Sequence, residues 1–120
     1  MPELPEVETI VRELRPHLVG RRIRCAHVLR PTVCTFSADQ LRGAVVRSIE
    51  RRGKYILVYL ARRRSTPGLT FHLGMTGQLL LASPHLPPDK HTHVVLRFAC
   101  LSDELRFRDV RRFGEACLYH

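Results

Sequence analysis

Lysine is nearly missing from this sequence: of its 20 basic residues only Lys54 and Lys90 are lysines, and the rest are arginine. Acidic residues are also few, eleven against those 20, which leaves a formal charge of +9. The planar guanidinium fork matches phosphates and base edges better than an ammonium point charge does. A basic, arginine-rich chain therefore points towards nucleic acid. The alternative, a solvated surface shaped by arginine-favouring codon usage, is left open by composition alone. Long apolar runs are missing too. No segment approaches the roughly 18 unbroken apolar residues of a membrane helix, and the opening Met1-Pro2-Glu3-Leu4-Pro5-Glu6 has no basic-then-apolar signal. The expectation is a cytoplasmic protein with no membrane partner. The four cysteines, Cys25, Cys34, Cys100 and Cys117, form no C-x-x-C pair, which argues against a zinc site and for reduced thiols. At 120 residues the chain is expected to form one domain with its own core.

What is present divides into one helical segment and many short strands. Val7, Ile10, Val11, Leu14 and Leu18 fall on one face of a 3.6-residue period. Pro5 suits a first helical turn, and Glu6 and Glu8 complement the positive end of the dipole. The helix is expected over 5–19, with Pro16 ending or kinking it and Gly20 closing the segment. Beyond Gly20 the pattern shortens. Residues 22–28, 44–50, 55–61, 69–73, 78–82, 93–100, 104–108 and 115–119 read as strands, rich in Val, Ile, Leu, Phe and Tyr and divided by Gly, Pro, Ser and Asp. Ser37 is placed to cap a short helix over 38–41. The fold class is α+β: an N-terminal amphipathic helix packed on an antiparallel β-sandwich of about eight short strands spanning 22–119.

Position 2 is the unusual one chemically. If Met1 is removed, Pro2 presents a secondary α-amine, which titrates near pH 8 and is partly neutral and nucleophilic at physiological pH. Attack by such an amine on a sugar C1′ gives an iminium that has no N–H proton to lose. It acts as an electron sink, acidifying the C2′ proton and promoting loss of the 3′ phosphate. Glu3 beside it and Glu6 one helical turn on are placed to protonate the ring oxygen or carry protons. Taken alone, Met-Pro-Glu is equally a common soluble start.

Four ordered blocks make the reading specific. The run Pro2-Glu3-Leu4-Pro5-Glu6-Val7-Glu8-Thr9 is followed by Gly53-Lys54-Tyr55, then His72-Leu73-Gly74-Met75-Thr76-Gly77, then Asp109-Val110-Arg111-Arg112-Phe113-Gly114. Together they resemble the formamidopyrimidine-DNA glycosylase and endonuclease VIII family. Leu4, the His-Leu-Gly-Met block and Arg-Arg-Phe-Gly look like its formamidopyrimidine branch. The resemblance implies a bacterial base-excision repair enzyme, a bifunctional DNA glycosylase and AP lyase. It would excise 8-oxoguanine and formamidopyrimidines through a Pro2 Schiff base and β,δ-elimination. It further implies Glu3 as general acid, Glu6 as a supporting carboxylate, and Lys54 as a phosphate contact and proton donor. Met75, Arg111 and Phe113 would enter the duplex, filling the gap left by an extruded nucleotide, whose unstacking costs a few kcal/mol. His72, His91 and Arg112 would contact DNA. Without the resemblance, Met75 and Phe113 read as core and Lys54 as a solvated hairpin lysine.

The same resemblance assigns residues 1–120 to an N-terminal catalytic domain. The family's helix–two-turn–helix and zinc-finger domain is absent from this stretch, so no cofactor is expected in the chain. The expected partner is damaged double-stranded DNA, engaged by a monomer. Val110 stands where the family usually has proline, a change expected to loosen the loop after it modestly. The alternative function is a DNA-binding fragment of that family with weak or no catalysis. A tautomerase using an N-terminal proline is disfavoured, because there a strand follows the proline directly and here a helix does. His91 and His93, two apart, would share a strand face that His72 could join, but no carboxylate or cysteine completes a metal set. His17, His27, His85 and His120 read as structural or exposed.

Overall fold

The computed structural model describes residues 4–30, 34–110 and 114–119. Among the described residues a single α-helix, α1 (Leu4–Leu18), precedes eight strands. These are β1 (Ile23–Val28), β2 (Val45–Arg52), β3 (Tyr55–Ala61), β4 (Gly68–His72), β5 (Gly77–Ala82), β6 (Thr92–Phe98), β7 (Glu104–Asp109) and β8 (Glu115–Tyr119). They form two four-stranded sheets, ordered β1-β6-β7-β5 and β2-β3-β4-β8, and every adjacent pair is antiparallel. The α+β class and the helix-plus-sandwich architecture are therefore as the sequence implied. Among the described residues no helix is long and apolar enough to cross a membrane.

The core lies between the sheets and under the helix. Val7, Val11, Leu14 and Leu18 bury the predicted stripe of α1. The sheets meet through Phe71 of β4 and Phe107 of β7, whose ring centroids lie 5.5 Å apart. Burial alternates along β3, where Ile56, Val58 and Leu60 are inside, as expected of a sheet with one covered face.

One local expectation is narrowed and another is corrected. Of the two outcomes expected at Pro16, it does not end the helix, which runs to Leu18, within a residue of the expected 5–19, with Pro16 inside it. Proline removes a donor only to the carbonyl four residues back, and this close to the C-terminus the burial of Leu18 against the sheet outweighs that loss. The segment after Ser37 is one 3-10 turn, Ala38–Gln40, rather than a helix to 41. Its start is held by Gln40, whose Oε1 accepts the Ser37 backbone N–H at 2.8 Å.

The helix runs antiparallel to β2, and this fixes where its N-terminus lies. Gly20 donates its backbone N–H to the Val46 carbonyl at 2.8 Å. Arg15 donates to the Ile49 carbonyl from Nε at 3.1 Å and Nη2 at 2.8 Å. Glu8 accepts from Arg51 Nε at 2.9 Å. The twelve residue steps from Glu8 to Gly20, ten of them within α1 at about 1.5 Å each, run alongside five strand steps at about 3.3 Å, so the two elements stay roughly level. The start of α1 thus stands beside the turn that joins β2 to β3.

Candidate functional site

One end of the sandwich gathers those singled-out site residues that lie among the described ones. Arg52 pairs with Tyr55 across the β2–β3 hairpin, and Tyr55, His72 and Glu115 lie in register across β3, β4 and β8. In the other sheet, Gly77 at the start of β5 faces Asp109 at the end of β7. The short connection 73–76 joins the two sheets at this end. The β2–β3 turn, the β4–β5 turn, the start of β6 and the start of β8 therefore share one rim with the first turn of α1.

A chain of contacts holds that rim together. Arg51 ties α1 to the hairpin: Nε bonds Glu8, and Nη1 reaches the Gly53 carbonyl at 3.2 Å. The Arg51 hydrogen bond holds the Glu8 carboxyl below its ordinary range. Gly53, with φ +59°, supplies the positive φ that a two-residue hairpin needs at its first central position. That leaves Lys54 exposed at the tip. The Tyr55 ring stacks at a tilt on His72, with centroids 4.7 Å apart. His72 in turn accepts the Gly74 N–H on Nδ1 at 3.2 Å. The β4–β5 turn then closes with Gly77 N–H to the Leu73 carbonyl at 2.7 Å. It lifts Met75 out of the fold, 45% exposed.

The opposite side of the rim is built on Asp109, whose side chain is fully buried. One carboxylate oxygen accepts the Thr76 hydroxyl at 2.5 Å, and the other accepts the Gly114 N–H at 2.6 Å. The Asp109 N–H donates to the His91 carbonyl at 3.0 Å, and His93 Nε2 donates to the Asp109 carbonyl at 2.7 Å. Behind the rim, Arg108 holds Asp89 at 2.8 Å, and that hydrogen bond keeps the Asp89 carboxyl low.

The site residues named from sequence fall into two groups. Glu6 (exposed, first turn of α1), Lys54, His72, Met75 and His91 all lie on this rim. Pro2, Glu3, Arg111, Arg112 and Phe113 lie outside the described residues, though they adjoin Leu4 and Gly114 in sequence. The histidine cluster does not form. His91 precedes β6 in a turn, where its N–H bonds Asp89, while His93 is sealed inside and packs edge-on to Phe107. His72 directs its ring to Tyr55. Among the described residues no three His, Cys, Asp or Glu side chains gather as a metal set. The supports Arg51, Tyr55, Thr76 and Asp109 were not picked out from sequence. The last three stand inside the quoted blocks, which was the available signal.

An exposed apolar group at Met75, an exposed cation at Lys54 and a helix N-terminus on one rim can seat an anionic, partly stacked ligand. Exposed Arg52 and Lys90 add positive charge to the same end.

Comparison with known proteins agrees with this arrangement. Residues 1–116 match the family described as Formamidopyrimidine-DNA glycosylase N-terminal domain. A formamidopyrimidine-DNA glycosylase of Symbiobacterium thermophilum is 48% identical over 122 residues, covering 95% of this chain and 37% of that protein. Its counterpart in Desulforamulus reducens is 43% identical over 126 residues, covering 98% and 43%. The crystal structure of the Lactococcus lactis glycosylase, non-covalently bound to DNA containing an AP site, is similar with a TM-score of 0.86 at 35% identity. That match covers 98% of this chain and 45% of the other. The same enzyme in complex with Fapy-dG DNA gives 0.87 at 35% identity, covering 98% and 44%. The chain spans less than half the length of these relatives.

Proposed function

The chain belongs to the formamidopyrimidine-DNA glycosylase family, and from that premise we propose that it is the catalytic N-terminal domain of a bacterial base-excision repair glycosylase and AP lyase. The substrate class is oxidised purine, 8-oxoguanine or a formamidopyrimidine, in double-stranded DNA. The observation that carries the reading is the rim: the start of α1, the Lys54 turn and the Met75 turn stand together, tied by Arg51 and by the Tyr55–His72 stack.

The chemistry begins once Met1 is removed and Pro2 bears a free secondary amine. Its lone pair attacks C1′ while the glycosidic bond breaks, and the bonding electrons leave on the base, which takes up a proton. Glu3 protonates the ring oxygen and the sugar opens to an iminium joining Pro2 to C1′. Loss of a C2′ proton feeds electrons to that iminium and expels the 3′ phosphate. A second elimination expels the 5′ phosphate, and water frees Pro2. Glu6 supports the proton traffic at the start of α1. Lys54 holds a phosphate near the lesion, and His72, His91 and Arg112 supply further DNA contacts. Met75 fills the space left by the extruded nucleotide, Phe113 wedges the base step and Arg111 bonds the orphaned base. Every step uses a lone pair, a proton or a charge of these side chains and calls for no cofactor from this stretch. The domain acts as a monomer in the cytoplasm.

A second reading rests on the share of the relatives that the chain spans. Phosphate contacts dominate affinity for DNA, so these 120 residues assayed alone should bind duplex weakly and turn over slowly. Borohydride trapping separates the readings. The chain, confirmed by mass to begin at Pro2, is incubated with duplexes carrying 8-oxoguanine opposite cytosine or an abasic site, with Pro2→Gly as control. A Pro2-dependent adduct on both duplexes supports the full activity. Adduct on the abasic duplex alone supports a lyase whose base excision needs more than these residues. No adduct on either, from folded and trimmed protein, overturns the catalytic reading in favour of a DNA-binding fragment.

A further inference from the structure

We propose that Asp109 is a positioning residue that locks the Met75 turn to the start of β8 and so fixes the height at which Met75 stands above the rim. The insertion role of Met75 rests on the function proposed above; the lock itself does not.

Four hydrogen bonds tie this one residue to three separate pieces of chain: the β4–β5 turn, the start of β6 and the start of β8. The carboxylate takes the Thr76 hydroxyl at 2.5 Å on one oxygen and the Gly114 N–H at 2.6 Å on the other. The backbone is held as firmly, by the His91 carbonyl at 3.0 Å and by His93 Nε2 at 2.7 Å. Full burial makes these bonds count, because a buried carboxylate that lost its donors would face a desolvation cost with nothing to offset it. The partners are also shaped for the contact. A Cβ on Gly114 would sit 2.5 Å from the His72 carbonyl oxygen and 3.0 Å from Asp109 Oδ2. Only glycine lets that N–H approach. Thr76 lies next to Met75, so the Asp109–Thr76 bond restrains the exposed methionine's neighbour on one side, as the His72–Gly74 bond does on the other.

The geometry also states which substitutes can serve. Each carboxylate oxygen meets a donor, and the two donors differ. The Gly114 N–H can only donate, whereas the Thr76 hydroxyl can turn round and accept. Asparagine can therefore keep both contacts, with its oxygen on Gly114 and its amide nitrogen donating to Thr76. Alanine can keep neither.

The test is amide hydrogen exchange, residue by residue, on the full chain and on Thr76→Val, Asp109→Asn and Asp109→Ala. Thr76→Val alters the Met75 turn only, yet it should speed exchange at Gly114 about tenfold. Asp109→Ala should speed it about a hundredfold, and Asp109→Asn should stay within a few-fold of the parent. Amides of β3 and β6 should not move. Unchanged protection at Gly114 in Thr76→Val overturns the lock, and so does a parallel acceleration of the core amides, which would mean general destabilisation. If Asp109→Ala fails to fold, Thr76→Val and Asp109→Asn still decide the matter. A 2-aminopurine beside an abasic site then reads insertion. Thr76→Val and Met75→Ala should both reduce the fluorescence change at saturating protein, with less effect on Kd. A parent response equal to that of Met75→Ala overturns the role given to Met75, and the exchange result still judges Asp109. A response lost in Met75→Ala but intact in Thr76→Val overturns the positioning role and leaves the proposed function standing.

Discussion

Replacing Gly77 with alanine should unfold this domain at markedly lower denaturant, and the reason is space rather than backbone conformation. A Cβ built there lies 2.2 Å from the Leu73 carbonyl oxygen, 2.7 Å from its Cα and 2.8 Å from its carbonyl carbon. An ordinary carbon–oxygen approach is about 3.3 Å or more, so the turn must open by about 1 Å. All three obstacles are backbone atoms that no rotamer change can move. Opening the turn stretches the 2.7 Å Gly77–Leu73 hydrogen bond that closes it, at a cost of about 1 kcal/mol. Strain passed to the neighbouring packing adds about 1–3 kcal/mol. The sum, about 2–4 kcal/mol, corresponds to roughly 8–16 °C in Tm for a domain of this size. Gly20 provides the contrast. Its φ is +87° and nothing lies within 4 Å of its would-be Cβ, so the demand there is on the backbone alone. Gly20→Asn should cost under about 1 kcal/mol, because asparagine tolerates left-handed φ at a helix end. Gly77→Asn should cost at least as much as Gly77→Ala. Urea unfolding followed by circular dichroism, with m-values compared, measures all three. A Gly77→Ala protein within about 0.5 kcal/mol of the parent, with an unchanged m-value, would refute the steric argument.

Two further outcomes follow from the described contacts. Glu104 is buried between Arg97 Nε at 3.1 Å and Arg106 Nε at 2.8 Å. Glu104→Ala would strand the buried Arg106 charge and should cost about 3 kcal/mol, near the low end for a broken buried pair because Arg106 also bonds the Ser83 and Leu86 carbonyls; a loss under about 1 kcal/mol in urea unfolding would contradict this. Burial, with a smaller effect from nearby Cys117, pushes the Cys34 thiol up to about 11. At pH 8.5 its thiolate fraction should be about a hundredfold below that of an ordinary thiol, so alkylation mapped by mass spectrometry should mark exposed Cys100 long before Cys34. Equal labelling rates in folded protein would rule that out.

The elements were legible because burial here has simple periods. Val7, Val11, Leu14 and Leu18 repeat at helical spacing, and Ile56, Val58 and Leu60 alternate, so each element could be identified before its neighbours were known. At Pro16 local propensity left an early end open, because it weighs a lost donor, while burial of Leu18 depends on a sheet contributed by residues 45 and beyond. The strand face that His91 and His93 would share fails to form for a similar reason. Spacing of two implies a shared strand face, but β6 begins at Thr92 and shifts register before Val94, so His91 stays in the turn and His93 turns inward.

At the candidate site the ordered blocks identified the tips and their family by themselves, since motif residues are recorded directly in the order of the chain. Which of them share a rim was decided in three dimensions. The antiparallel run of α1 along β2 brings Glu8 to Arg51, and the sheet registers bring Tyr55 to His72 and Gly77 to Asp109. Asp109 shows the division most clearly. In sequence it is one acid at the head of a motif, 33 positions from Thr76. Its role depends on burial and on donors from Thr76 and Gly114, which only the packing of two sheets brings to one carboxylate.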